Sequence, residues 1–194
     1  DRVRAHTVIL GAGATVATIP DGDKYGNKSS VMNGLIKKLN LDEILNGISL
    51  STSSDNLEDI YSELYLRPDC KETIIKLEKT LYDYFAALEL PDYPTIYDYL
   101  VLSLTEKDAI ATFNWDPLLI QAYVRCNKIT NNLPHIFCLH GNVGVGYCAE
   151  HREFGSIDAI CPACRKPFPP TKLLYPVNHK NYTGDEYIKG CWDA

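Results

Sequence analysis

The chain has 194 residues, 45% of them apolar and 23% charged, with a net charge of −6. That is enough chain to bury a sizeable core, and the balance excludes wholesale disorder and collagen-like or coiled-coil designs. The excess of 25 Asp and Glu over 19 Lys and Arg argues against non-specific nucleic-acid binding, and no apolar run approaches the roughly 18 residues of a membrane span.

Thr7-Val8-Ile9-Leu10 is a β-branched and aliphatic run stopped by Gly11-Ala12-Gly13, which predicts a buried parallel strand feeding a tight turn. Ala14-Thr15-Val16-Ala17 opens a helix, and Ile19-Pro20-Asp21-Gly22 breaks it with turn chemistry. Residues 21–30 are polar and form a loop.

From about Ser30 to Leu104 the pattern is helical. Leu35, Ile36 and Leu39 suit one helix, and Leu57, Ile60, Leu64 and Leu66 another. Ile74, Ile75, Leu77, Leu81, Tyr84 and Phe85 trace a third stripe. Ser53-Ser54-Asp55 ahead of Glu58 predicts Asp55 as an N-cap. Tyr93, Tyr97 and Tyr99 are expected to be packing aromatics, because no basic residues interleave them.

A second strand is expected at Ala109-Ile110-Ala111-Thr112, followed by Phe113-Asn114-Trp115-Asp116-Pro117. Asp116 suits the N-cap and Pro117 the first turn of a helix carrying Leu118, Leu119, Ala122 and Tyr123. A third strand over residues 135–139 ends at His140-Gly141-Asn142. Strands alternating with helices predict an α/β fold with a parallel sheet, whose ligands bind at the carboxyl ends of the strands. Those ends are Gly11-Ala12-Gly13, Asn114-Trp115-Asp116 and His140-Gly141, so they should converge on one crevice.

Gly11-Ala12-Gly13 allows close backbone approach and offers amides to an anion, although it lacks the third glycine of the dinucleotide fingerprint. His140 suits a general base or a satisfied structural histidine, and Asn114 and Asp116 suit ligand contacts or caps. Seven cysteines, an odd count, fit a reduced cytosolic protein better than a disulfide framework. Cys148-x2-His151 and Cys161-x2-Cys164 supply two knuckles of a tetrahedral zinc site with no open position, hence structural; Glu150 is an alternative to His151. Cys70, Cys126, Cys138 and Cys191 remain as thiols.

In this order the motifs resemble the sirtuin (silent-information-regulator-like) family of NAD-dependent enzymes. The residues that carry the resemblance are Gly11-Ala12-Gly13-Ala14-Thr15, Ile19-Pro20-Asp21, Thr112-Phe113-Asn114-Trp115-Asp116, His140-Gly141 and the Cys148/His151/Cys161/Cys164 set. The resemblance implies a Rossmann-like, NAD-binding sheet from residues 1–29 and 107–144, with an inserted helical region at 30–106. It further implies a small zinc module at 145–170 and a return segment at 171–194, where the chain ends about where the second half of the nucleotide fold would begin. The domain is therefore expected to be incomplete. By the same resemblance Gly11, Ala12, Gly13 and Thr15 would meet the phosphates of NAD and Asn114 the nicotinamide ribose. Asp116, Ile19 and Asp21 would lie near the carboxamide, and His140 would be the base.

Two departures shape the expected activity. Gly22-Asp23 stand where the family has Phe-Arg, and Phe113 and Trp115 flank Asn114 as in bacterial sirtuin-like effector domains that hydrolyse NAD in phage defence. The expectation is thus an NAD glycohydrolase that releases nicotinamide, cytoplasmic, with structural Zn2+ and with no nucleic-acid or membrane partner. A partner domain or subunit and a homo-oligomer stay open. The alternatives are an NAD-dependent protein deacylase and a non-enzymatic nucleotide-binding or interaction module.

Overall fold

A computed structural model of the chain describes residues 4–177 and 180–194. Three parallel strands, β1 (Thr7–Leu10), β2 (Ala109–Thr112) and β3 (His135–Cys138), form a sheet in the order β1-β2-β3. The register sets Thr7 opposite Ala109, and Ala109 opposite His135. All three strands lie where the apolar runs predict them. β3 stops one residue early because the amide of Gly141 turns back to donate to the Cys138 carbonyl at 3.0 Å. β1 is an edge strand rather than a buried one: among the described residues it pairs on one side only, and its Ile9 side chain is exposed.

Helix α1 (Ala12–Thr18) begins two residues before the predicted start, so Gly11-Ala12-Gly13 is the first turn of the helix, with the Ala14 amide donating to the Gly11 carbonyl at 2.9 Å. Between β1 and β2 run α2 (Met32–Lys38), α3 (Asp42–Leu45), α4 (Leu57–Tyr65), a 3-10 turn at Pro68–Cys70, α5 (Lys71–Ala86) and α6 (Ile96–Ser103). Asn56, not Asp55, caps α4: its side chain accepts from the Glu58 amide at 2.9 Å. Either residue type can cap, and the helix starts one position later than the capping-box spacing implied.

α5 buries Ile74, Leu77, Leu81 and Phe85, a spacing of three or four that keeps one face inward. Ile75 lies about 100° round the helix from Ile74 and is 64% exposed. Leu66, just past the end of α4, is 83% exposed. Of the three tyrosines expected to pack, Tyr97 is buried, whereas Tyr93 and Tyr99 are exposed. Tyr97 and Tyr99 are two residues apart on α6 and so point to different sides of it.

α7 (Leu118–Asn127) connects β2 to β3 and starts one residue later than expected, with Asp116 still accepting from the Leu118 amide at 3.2 Å. Arg125 on α7 clasps Asp98 on α6 with two bonds, Nε to Oδ1 at 2.7 Å and a second guanidinium nitrogen to Oδ2 at 2.5 Å. One core runs from Ile19 through Leu35, Leu64, Leu77 and Leu81 to Ile110, Trp115, Leu118 and Leu173. The helices of residues 30–106 and the sheet therefore share their interior.

A hairpin of β4 (Val145–Cys148) and β5 (Glu153–Ser156) follows, and the chain returns to α8 (Glu186–Asp193). α8 packs on β3, and the Trp192 indole donates to the Leu139 carbonyl at 2.9 Å. Among the described residues no helix is long and apolar enough to cross a membrane.

Gly141 turns the chain after β3 at φ 77°, and a Cβ there would lie 1.9 Å from the Lys172 carbonyl oxygen. Gly141→Ala is expected to cost more than about 2 kcal/mol, the left-handed penalty plus a backbone clash, read from urea unfolding midpoints.

Candidate functional site

The carboxyl ends of the three strands open into one crevice of about 180 Å³. Ala12 and Thr15 reach it from α1, Asn114, Trp115 and Asp116 from the end of β2, and His140 from the end of β3. Glu58 on α4 and Lys180 on the return segment line it as well.

Residues 113–116 are fixed from three sides. The Asn114 amide donates to Thr112 Oγ1 at 3.0 Å, and the Val143 amide donates to the Trp115 carbonyl at 2.9 Å. Asn142 Nδ2 donates to the carbonyls of Asn114 and Asp116 at 3.2 and 2.7 Å, while its Oδ1 accepts from the Gly144 amide at 2.8 Å. Asn142 was visible in the sequence only as the residue after His140-Gly141. A polar side chain following a glycine turn at a strand end was the available signal.

Side chains from α1, the segment after β2 and α6 then meet. Asn114 Nδ2 is shared among the Gly11 carbonyl at 2.9 Å, Thr15 Oγ1 at 2.9 Å and the Tyr97 hydroxyl at 3.3 Å. Thr15 Oγ1 in turn donates to Asp116 Oδ2 at 2.6 Å. Burial pushes the Asp116 carboxyl above the usual carboxylate range, against the opposing hydrogen bonds from Thr15 and Leu118. Burial, with the charge of Asp116 adding to it, pushes the Tyr97 phenol up to about 12. Tyr97 is a member of this network that its helical context concealed.

His140 is half-buried between Phe113, edge-on at 4.9 Å, and Tyr182, stacked at 6.0 Å. Burial, reinforced by the positive charge of Lys180, lowers its imidazole to about 4. Among the described residues, Nε2 of His140 and Nε1 of Trp115 are the buried side-chain polar atoms without a partner. Trp115 is only 4% exposed and is wedged against Phe85 and Tyr175. A buried donor or acceptor left unmade costs about 1–3 kcal/mol, so two of them in one wall call for an explanation.

The glycines of the first turn are open on the outside: a Cβ on Gly11 or Gly13 would meet nothing within 4 Å. Ile19 lies in the core and Asp21 on an exposed turn, and neither lines the crevice. The buried carboxylate of that segment is Asp23, which accepts from the amides of Tyr25 and Asn27 at 2.9 and 2.8 Å and folds the loop onto itself.

Cys148, His151, Cys161 and Cys164 offer ligand atoms that all lie within 4.8 Å of one another. Cys148 Sγ is 3.4 Å from His151 Nδ1 and 3.9 Å from Cys164 Sγ, and Cys161 Sγ is 3.9 Å from His151 Nδ1. Zinc bonds of about 2.3 Å to sulfur and about 2.0–2.1 Å to nitrogen at tetrahedral angles need donors about 3.5–3.8 Å apart, so the set fits that ion. The histidine offers Nδ1. Glu150 stays outside the cluster, with Oε1 4.0 Å from His151 Nε2, on the side where a carboxylate orients a ligating imidazole. The four donors leave no position for water, which suits a structural ion.

No family model matches the chain, and no curated protein matches it. Among solved structures it is similar to three complexes of Sir2 homologue mutants with ADP ribose, at 13, 13 and 15% identity and TM-scores of 0.37, 0.32 and 0.31. Each alignment covers 97% of this chain and 63% of the other, so the chain spans less than two thirds of their length. A likeness of that degree assigns neither family nor activity.

Metal analysis of the purified protein is expected to find about one zinc per chain. Cys161→Ser should lose it and lower the melting temperature, as should a strong chelator, because a structural ion contributes directly to folding. A protein that contains no zinc and is indifferent to chelation would remove the metal from this cluster.

Proposed function

We propose that this chain is a sirtuin-like NAD-binding domain that hydrolyses the bond between nicotinamide and ribose, with structural zinc at Cys148, His151, Cys161 and Cys164. The observation that carries the reading is the pair of orphaned buried polar atoms, His140 Nε2 and Trp115 Nε1, on residues that line one crevice together with Asn114 and Asp116. A substrate with polar edges would satisfy what the protein leaves unmade.

The residues suit the chemistry. Cleavage of the pyridinium–ribose bond releases neutral nicotinamide and leaves an oxocarbenium-like ribose, which a water oxygen then attacks. His140, neutral at pH 7, accepts the proton that this water gives up. With Asn114 Nδ2 engaged inward, its Oδ1 is the group left to orient the ribose. Asp116, held by Thr15, faces the leaving carboxamide in this assignment; Ala12 lines the crevice, and Gly11 and Gly13, whose outer faces are open though they do not line it, complete the assigned phosphate contacts. The volume lies below the ~300–1,000 Å³ of pockets that take whole drug-sized ligands, so the crevice fits the nicotinamide riboside end of the dinucleotide.

Hydrolysis is favoured over protein deacylation because Gly22 and Asp23 stand directly after Ile19-Pro20-Asp21, where the family pattern has its aromatic and cation, and the Lys24 and Tyr25 that follow are engaged by Glu89. A role in phage defence belongs to the same reading and is carried by Phe113 and Trp115 on either side of Asn114. Seven cysteines outside any disulfide, three of them assigned to zinc, fit the reducing cytoplasm. The division into sheet, helical region, zinc module and return segment is proposed along with the activity.

The full-length protein is expected to release nicotinamide from NAD, and Asn114→Ala and His140→Ala should each lower kcat/KM by roughly 100-fold or more, the usual share of a positioned base. Turnover undiminished in both variants would overturn these roles, and absence of nicotinamide after long incubation would leave only binding. The pH profile carries a separate expectation. Protonation of His140 removes the base, so kcat/KM should hold through the ordinary histidine range and fall only as the pH drops through about 4. An acid limb near 6.5 would assign the titration to a different group.

A further inference from the structure

Lys180 is the only Lys or Arg lining the crevice among the described residues. Its side chain is just 14% exposed, far less than lysines usually are. The ammonium has three protons to donate, yet its contacts are long: Glu58 Oε1 at 3.4 Å and the Val177 carbonyl at 3.3 Å. A charge-assisted N–H···O bond settles at about 2.7–2.9 Å, and Lys24 makes such a bond to Glu89 at 2.8 Å on the surface of this same chain. Lys180 is therefore a nearly buried cation that no group among the described residues fully satisfies.

Its position narrows what would satisfy it. The crevice walls carry the carboxyls of Asp116 and Glu58, the first already engaged by Thr15 and the Leu118 amide, the second 40% exposed and loosely held. Ala12, from the glycine turn, lines the same space as Lys180. An anionic group entering beside that turn would find one cation within the crevice, restrained by one displaceable carboxylate.

We propose that Lys180 binds a phosphate oxygen on the nicotinamide side of the nucleotide, and that Glu58 holds the ammonium until the ligand displaces it. The inference rests on the NAD-binding reading and adds a residue that the sequence motifs did not contain. Glu58 is a placeholder whose carboxylate stands in for the phosphate.

Calorimetric binding of nicotinamide mononucleotide and of nicotinamide riboside, which lacks the phosphate, separates the possibilities. In wild-type protein the mononucleotide should bind more tightly. Lys180→Gln should weaken it roughly tenfold and leave the riboside unchanged, the loss expected for one charge-assisted hydrogen bond. Lys180→Arg should recover most of the affinity, and Glu58→Gln should tighten the mononucleotide by removing the competing carboxylate. Equal mononucleotide affinity in wild type and Lys180→Gln overturns the proposal. So does an equal loss for both ligands together with a lower melting temperature, because that is the behaviour of a mere tie between the return segment and α4. Failure of the NAD reading shows in a different place, as wild-type protein that binds neither ligand, and it removes this inference with it.

Discussion

The crevice depends on one amide. Asn142 sits at the end of β3, yet its side chain holds the carbonyls of Asn114 and Asp116 at the end of β2 and receives the Gly144 amide as the chain leaves for the hairpin. Backbone carbonyls just beyond a strand have lost their ladder partners, and buried ones must find others. Asn142 supplies those partners and so decides where Asn114 and Asp116 stand. Thr15 then transmits the arrangement to the end of β1 by accepting from Asn114 and donating to Asp116. Three strand ends that share only short ladders thereby become one rigid rim.

The rim is electrostatically unusual because burial acts on Asp116, Tyr97 and His140 in the same direction, toward the neutral form. It raises Asp116 and Tyr97 and lowers His140. Lys180 adds to the effect on His140, since an imidazolium there would face a like charge. A site of this kind holds a neutral base at neutral pH without a carboxylate to orient it. The ring is positioned by aromatic faces instead, Phe113 on one side and Tyr182 on the other.

Much of this was legible in the sequence because it is local. The β-branched runs mark the three strands, the glycine and Asx residues mark their ends, and the two knuckles mark the four-donor cluster, all within a few residues of one another. What escaped depends on partners far away in the chain. That β1 lies at an edge, with Ile9 outward, follows from pairing across a hundred residues. Tyr97 joins the network through Asn114, Lys180 reaches the crevice over a separation of 122 residues from Glu58, and neither has a local signature. The exposure of Ile75 has another source: two adjacent isoleucines on a helix cannot both face inward, and counting apolar residues without their phase hides that.

The hairpin and its cluster of cysteines do not line the crevice, but both of their exits end on the same residue. On the way out, the Val145 amide donates to the Asn142 carbonyl at 3.2 Å. On the way back, Thr171 Oγ1 donates to that carbonyl at 2.9 Å and accepts from the Asn142 amide at 3.3 Å. The excursion between them is a loop whose two feet share one anchor bolt. Whatever stiffens the far end of the loop also holds the bolt in its thread, and a reagent that slackens the cysteines works on Asn114 and Asp116 without ever entering the crevice.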